Sequence, residues 1–199
     1  MNAASYTSAS VLPVKLFDPS IVSSVVNHQI KPIHLQLNPT NKCNLQCKFC
    51  SCKNRDDHEM SYDKACDILK RFAALGTLSV TITGGGEPTC HPRINDIIRE
   101  CDRLGIKVGL VTNGKLLTRL DNDLPITWCR ISLSGLNTLS NEAMLKIQSM
   151  KQVDWAFSYV LMPHNYNNLS SVVIAGNLLG VTHIRVVDDI LSSEESKVD

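Results

Sequence analysis

Apolar positions along this chain keep two rhythms, a period of two over short stretches and a period near 3.6 over longer ones, with glycine or proline between them. Behind Asp18-Pro19-Ser20, the residues Ile21, Val22, Val25 and Val26 predict a leading helix from Asp18 to Ile30, ended by Pro32 and covering the bottom or edge of the domain. His34-Leu35-Gln36-Leu37-Asn38 alternates and predicts the first strand, closed by Pro39-Thr40. Ser61 is a good N-cap for a helix that places Ala65, Ile68, Leu69, Phe72 and Leu75 on one face before Gly76 stops it. The β-rich run Leu78–Thr83 leads into Gly84-Gly85-Gly86-Glu87-Pro88-Thr89. Pro92 then opens a helix with Ile94, Ile97, Ile98, Cys101 and Leu104 as its stripe and Gly105 as its stop.

The unit repeats. Ile106–Val111 predicts a third strand ending in Thr112-Asn113-Gly114, followed by a short helix near Lys115–Leu120. Trp128–Leu133, Trp155–Leu161 and His183–Val187 read as the remaining strands, with helices over about Ser140–Met150 and Asn168–Leu179 between them. Six strands alternating with five helices require a parallel sheet, because each right-handed crossover returns the chain to the same edge. Strands rich in Val, Ile and Leu suggest burial on both faces. A curved partial barrel and an open doubly wound sheet both satisfy this pattern. Residues up to Ser10 and from Ser192 to Asp199 read as loose tails.

Length changes the picture only by allowing one domain with a real core, since the chain has 199 residues and 43% apolar content. A formal charge of +1 supplies no long-range field, so nucleic acid is not indicated as a partner. No apolar run reaches the roughly 18 residues that cross a bilayer, and Met1-Asn2-Ala3-Ala4-Ser5 does not read as a targeting sequence. A soluble cytoplasmic protein with its eight cysteines reduced is the expectation, and reduced thiols suit metal ligation.

Chemistry concentrates in Cys43-Asn44-Leu45-Gln46-Cys47-Lys48-Phe49-Cys50, just past the first strand. Three thiolates so spaced close around one iron–sulfur cluster, and a cubane wants four ligands. One iron is left open, the mark that separates catalytic from structural metal sites. A zinc knuckle completed by Cys52 and His58 is the competing reading, although no second close cysteine pair follows. Cys52 and Cys90 lie beside the two main motifs, as small fillers or as redox groups. Cys66, Cys101 and Cys129 fall on predicted buried faces. The cysteine loop and the Gly84–Glu87 run follow strand ends, and Thr112-Asn113 and Ser132 with Ser134 end their strands, so all are expected at one rim. Three consecutive glycines permit positive φ and let a ligand approach the backbone.

The cysteine triad, with an aromatic residue just before its third member, resembles the signature loop of the radical S-adenosylmethionine enzymes, and the likeness runs from about Ile33 to Ile190. That resemblance implies a TIM-like partial (β/α)6 barrel at residues 33–191, preceded by a tail and leading helix at 1–32 and followed by a tail at 192–199. It implies a [4Fe-4S] cluster on Cys43, Cys47 and Cys50, with the fourth iron chelated by the amino and carboxylate groups of S-adenosylmethionine. Gly85-Gly86-Glu87 matches the family's Gly-Gly-Glu motif, which pairs with the methionine amino group. Thr112-Asn113-Gly114 is similar to the third-strand turn of the molybdenum-cofactor and peptide-modifying branch, Ser132 to a position near ribose or methionine carboxylate, and the Phe49 backbone to one that meets adenine.

The implied reaction is reductive cleavage to methionine and a 5′-deoxyadenosyl radical that abstracts hydrogen from a substrate not identified by the sequence. A flavodoxin-like or ferredoxin-like one-electron donor is implied as partner, and a partial barrel leaves an open side for a partner, a second subunit or the substrate itself to close. No cysteine follows Cys129, which argues against an auxiliary cluster within these residues. Arg185 and Asp188 read either as cavity residues touching substrate or ribose, or as a salt-linked barrel end. The competing class is a non-catalytic iron–sulfur or zinc protein serving electron transfer or scaffolding.

Overall fold

Six strands pair in sequence order into one sheet, and every pairing is parallel. The structure is a computed structural model that describes residues 19–29, 31–133 and 139–188. Its elements are α1 Pro19–Val26, β1 His34–Leu37, α2 Tyr62–Ala74, β2 Ser79–Ile82, α3 Ile94–Arg103, β3 Lys107–Thr112, β4 Ile126–Leu133, α4 Asn141–Ser149, β5 Asp154–Leu161, α5 Leu169–Leu179 and β6 His183–Asp188. The strand order never reverses, whereas a doubly wound sheet needs a reversal to place helices on both faces. Right-handed crossovers running one way put the helices on one face and leave the other concave. The sheet stays open, with β1 and β6 as its edges.

Core burial follows from this. Leu37, Val80, Ile82, Leu110, Ile131 and Phe157 belong to the helix-side cluster. The alternate positions Gln36, Thr81, Arg130, Ser132, Ser158 and Arg185 are half-buried or exposed. Burial on both faces, expected from the Val/Ile/Leu content, is therefore corrected: one face builds the core and the other is a polar wall. Trp128 and Ala156 are buried apolar residues on that wall, Trp128 7% exposed with its indole over Gly109. A register shift between Val108 and Gly109 sets Trp128 opposite Gly109, where a Cβ would overlap the ring.

Three elements differ from their sequence expectation. The leading helix ends at Val26, and His28 takes φ 54° just beyond it. No α-helix joins β3 to β4; the apolar residues Leu116, Leu117 and Leu120 make a single 3₁₀ turn at Leu117–Arg119. The polar Asp121-Asn122-Asp123 and then Pro125 stop it from growing, and β4 starts at Ile126, ahead of Trp128. A 3₁₀ turn at Pro88–Cys90, capped by Glu87, precedes α3, which starts at Ile94 rather than at Pro92. Ser61 does cap α2, its hydroxyl accepting from the Lys64 N–H at 3.2 Å. Cys66, Cys101 and Cys129 are buried; burial pushes the Cys101 thiol up to about 12 and the Cys129 thiol well above its ordinary value, which makes both unreactive.

Candidate cluster and cofactor site

The cysteine loop hangs from a closed neck. Thr40 and Glu59 pair as an antiparallel bridge, the Asn41 N–H donates to the His58 carbonyl at 2.8 Å, and the Met60 N–H donates to Pro39 at 2.9 Å. Between these ends the chain turns tightly, with Cys50 N–H donating to Cys47 O and Arg55 N–H to Cys52 O. The Arg55 guanidinium holds the loop from inside: it donates to the Cys52 carbonyl at 2.7 Å, to the Leu45 carbonyl at 3.0 Å and to the Cys50 sulfur at 3.6 Å. Nothing in the sequence singled out Arg55. It is one basic residue in the run Lys53-Asn54-Arg55-Asp56-Asp57, and only its folded reach gives it a role.

Gly84, Gly85 and Gly86 pack against the start of that loop. None of the three takes positive φ, so the conformational reason expected from the sequence is corrected. Space is the reason instead. A Cβ on Gly86 would overlap the backbone carbonyls of Asn41 and Lys42, and one on Gly85 would sit 3.2 Å from Asn41 Oδ1. The Glu87 N–H donates to the Lys42 carbonyl at 2.8 Å and the Gly86 N–H to Thr40 at 3.2 Å, stitching the glycine run to the loop.

Glu87 turns its carboxylate inward and is 3% exposed. Oε1 accepts from the Thr89 N–H at 3.0 Å, the Thr89 hydroxyl at 2.6 Å and the Thr112 hydroxyl at 2.6 Å, while Oε2 accepts from the Asn113 N–H at 2.6 Å. The end of β2 is thereby tied to the end of β3. Asn113 carries the tie onward, its amide donating to Asn44 Oδ1 at 2.8 Å and to the Cys43 sulfur at 3.9 Å.

These pieces surround one cavity of about 260 Å³. Cys43, Cys47 and Cys50 line it, as do Gly85, Gly86 and Glu87, then Thr112, Asn113 and Ser132, and also Cys52 and Arg55. Phe49 is half-buried and is not among the lining residues. Cys90 is outside the lining as well; burial, and then the charges of Glu87 and Cys43, push its thiol up. Ser134 falls outside the described residues.

Burial raises the Cys47 thiol, Cys43 and Cys50 raise it further by repulsion, and Arg55 pulls the other way. Three soft thiolates with one nearby cation make a donor set for iron–sulfur chemistry. Among the described residues no three His, Cys, Asp or Glu side chains close around one ion-sized point. Cys43, Cys47 and Cys50 do share one cavity wall, as thiolates that hold one cluster would.

We expect Arg55→Met to loosen the loop without unfolding the barrel. Two carbonyls lose a charged donor, each such bond being worth about 1.5–3 kcal/mol, while the sheet is untouched. Hydrogen exchange of the loop amides between Cys43 and Asp57 in the metal-free protein should speed up severalfold, and unchanged rates would show that the clamp is idle.

The Radical SAM superfamily model matches residues 37–151. A tungsten-containing aldehyde ferredoxin oxidoreductase cofactor-modifying protein of Pyrococcus furiosus is 41% identical over 88 residues, 43% of this chain and 25% of that protein. The PqqA peptide cyclase of Methylorubrum extorquens is 27% identical over 168 residues, 80% of this chain and 44% of the cyclase. Among solved structures, Streptococcus suis SuiB bound to S-adenosylmethionine superposes with a TM-score of 0.69 at 21% identity, covering 96% of this chain and 49% of that one. Such likeness supports the partial TIM-like barrel that the unreversed strand order already requires. The chain thus spans between a quarter and a half of the length of these proteins. The family model takes in more than half of the chain and every cavity residue from Cys43 to Ser132, and the chain belongs to the radical SAM superfamily.

Proposed function

We propose that this domain holds a [4Fe-4S] cluster on Cys43, Cys47 and Cys50 and binds S-adenosylmethionine in the adjoining cavity to start radical chemistry on a substrate. The observation that carries this reading is the convergence of three thiolates, a glycine run without side chains, and the ends of β3 and β4 on a single cavity. When bound, the cluster and S-adenosylmethionine supply a reductive cleavage whose 5′-deoxyadenosyl radical takes hydrogen from the substrate. The chain's own residues do the placing. Arg55 and the neck fix the loop that presents the thiolates, and Glu87, through Thr112 and Asn113, sets the height of the β3 turn against Cys43. The bare backbone at Gly85 and Gly86 and the half-buried hydroxyl of Ser132 line the cavity wall and are the positions to contact the methionine and ribose ends.

A one-electron donor of flavodoxin or ferredoxin type belongs to this reading. Substrate does not carry over from the relatives, whose names speak of a cofactor and a peptide. No helix among the described residues is long and apolar enough to cross a membrane. Anaerobic reconstitution tests the proposal: about four irons per chain are expected, with 5′-deoxyadenosine released when dithionite and S-adenosylmethionine are added. Tightly held zinc, or iron without 5′-deoxyadenosine, would move the protein to the non-catalytic class.

A further inference from the structure

Two arginines on the concave wall have no counter-charge among the described residues. Of the eight arginines in the chain, five others form ion pairs or hydrogen bonds on the surface: Arg71 with Asp67, Arg93 with Asp96, Arg99 with Asp121 and Asp123, Arg103 with Glu100, and Arg119 with the Thr89 carbonyl. Arg55 binds the cysteine loop. Arg130 and Arg185 have no carboxylate or carbonyl partner among the described residues.

Register puts them together. Ser132 of β4, Ser158 of β5 and Arg185 of β6 stand in one row across three strands, and Arg130 lies one pleat below Ser132 on the same face. Ser132 also lines the cavity, so the row leads straight out of it toward β6. Arg130 is half-buried, 5.7 Å from the centre of the Trp128 ring. The Trp128 indole N–H on this face is buried with no partner. Burial, and then the charge of Arg185, lower the Arg130 guanidinium below its ordinary value, and no carboxylate contributes. Two like charges and an orphaned donor on a wall with serine hydroxyls between them cost free energy unless an anion arrives.

We propose that Arg130 and Arg185, with Ser158 between them, bind an anionic group of the substrate, a carboxylate or a phosphate, and so hold it beside the cavity. Guanidinium forks suit both groups because each presents paired oxygens. The proposal rests on reading the cavity as the S-adenosylmethionine site, since it is that site the anion would flank.

Thermal unfolding of the anaerobically reconstituted protein tests it, with pyrophosphate and succinate as probes at constant ionic strength. A bound anion raises the midpoint, and the probe that raises it identifies phosphate or carboxylate as the group. Arg130→Gln and Arg185→Gln should each weaken that probe by at least about tenfold, leave S-adenosylmethionine affinity unchanged, and leave the anion-free midpoint the same or higher. No rise with either probe, or a rise that survives in the double variant, overturns the proposal. So does a matching loss of S-adenosylmethionine affinity, which would mean that the arginines hold the cofactor, or a lower anion-free midpoint, which would make Arg130 a structural residue. Anion binding that persists in a protein unable to bind S-adenosylmethionine would sink the reading of the cavity and leave the arginine site standing.

Discussion

Replacing Glu87 with alanine is expected to lower the unfolding free energy by about 4 kcal/mol and to empty the cluster site. Four donors converge on this carboxylate, two backbone N–H groups and two threonine hydroxyls, and Thr89 and Thr112 are buried. Hydrogen bonds to a charged group are worth about 1.5–3 kcal/mol each, they do not add fully, and stranding their donors carries its own penalty. The loss also reaches function, because the Asn113 N–H bonded to Glu87 belongs to the residue whose amide meets Asn44 and Cys43. Glu87→Gln separates the two effects. Its oxygen can keep the Oε1 partners, but its amide group then faces the Asn113 N–H donor to donor, for a cost of about 2 kcal/mol. Denaturant unfolding and iron content of both variants give the check. An alanine variant within 1 kcal/mol of the parent would show that the carboxylate does not tie β2 to β3.

Gly86→Ala should be nearly as damaging by another route. The added Cβ would overlap the carbonyls of Asn41 and Lys42, and backbone cannot swing aside as a side-chain tip can. Overpacking costs about 1–3 kcal/mol and more where the backbone must move, so about 3 kcal/mol is expected here. The displaced segment is the entry to the cysteine loop, and Cys43 follows Lys42 directly. Iron binding should fall along with stability, whereas Gly84→Ala, 3.2 Å from the Thr40 carbonyl, should disturb both less. Equal effects from the two substitutions would show that close approach at Gly86 is not the constraint.

Periodicity was enough to lay out the sheet, because each strand–helix unit carries its own stop, as Gly76 and Gly105 do. It also brought the cysteine loop, Glu87, Thr112, Asn113 and Ser132 to one rim, since all lie at or just past strand ends. What escaped it depends on contacts between distant segments. Arg55 matters only because the loop folds back on it. The glycine run looked like a request for unusual backbone angles, while its actual neighbour is a carbonyl over forty positions earlier. Leu116, Leu117 and Leu120 have helical spacing, yet the polar run and Pro125 that follow leave room for one turn. Alternate strand positions such as Thr81, Ser132 and Ser158 showed that one face was polar, but the count of Val, Ile and Leu hid it.

Trp128 over Gly109 gives the half-barrel a floor. Its indole closes the wall four residues below Ser132, roughly 13 Å along the strand. A molecule that enters from the loop rim along β3 and β4 meets an aromatic stop there, so depth on that side, and not only chemistry, sets a ceiling on how much of a guest can be swallowed.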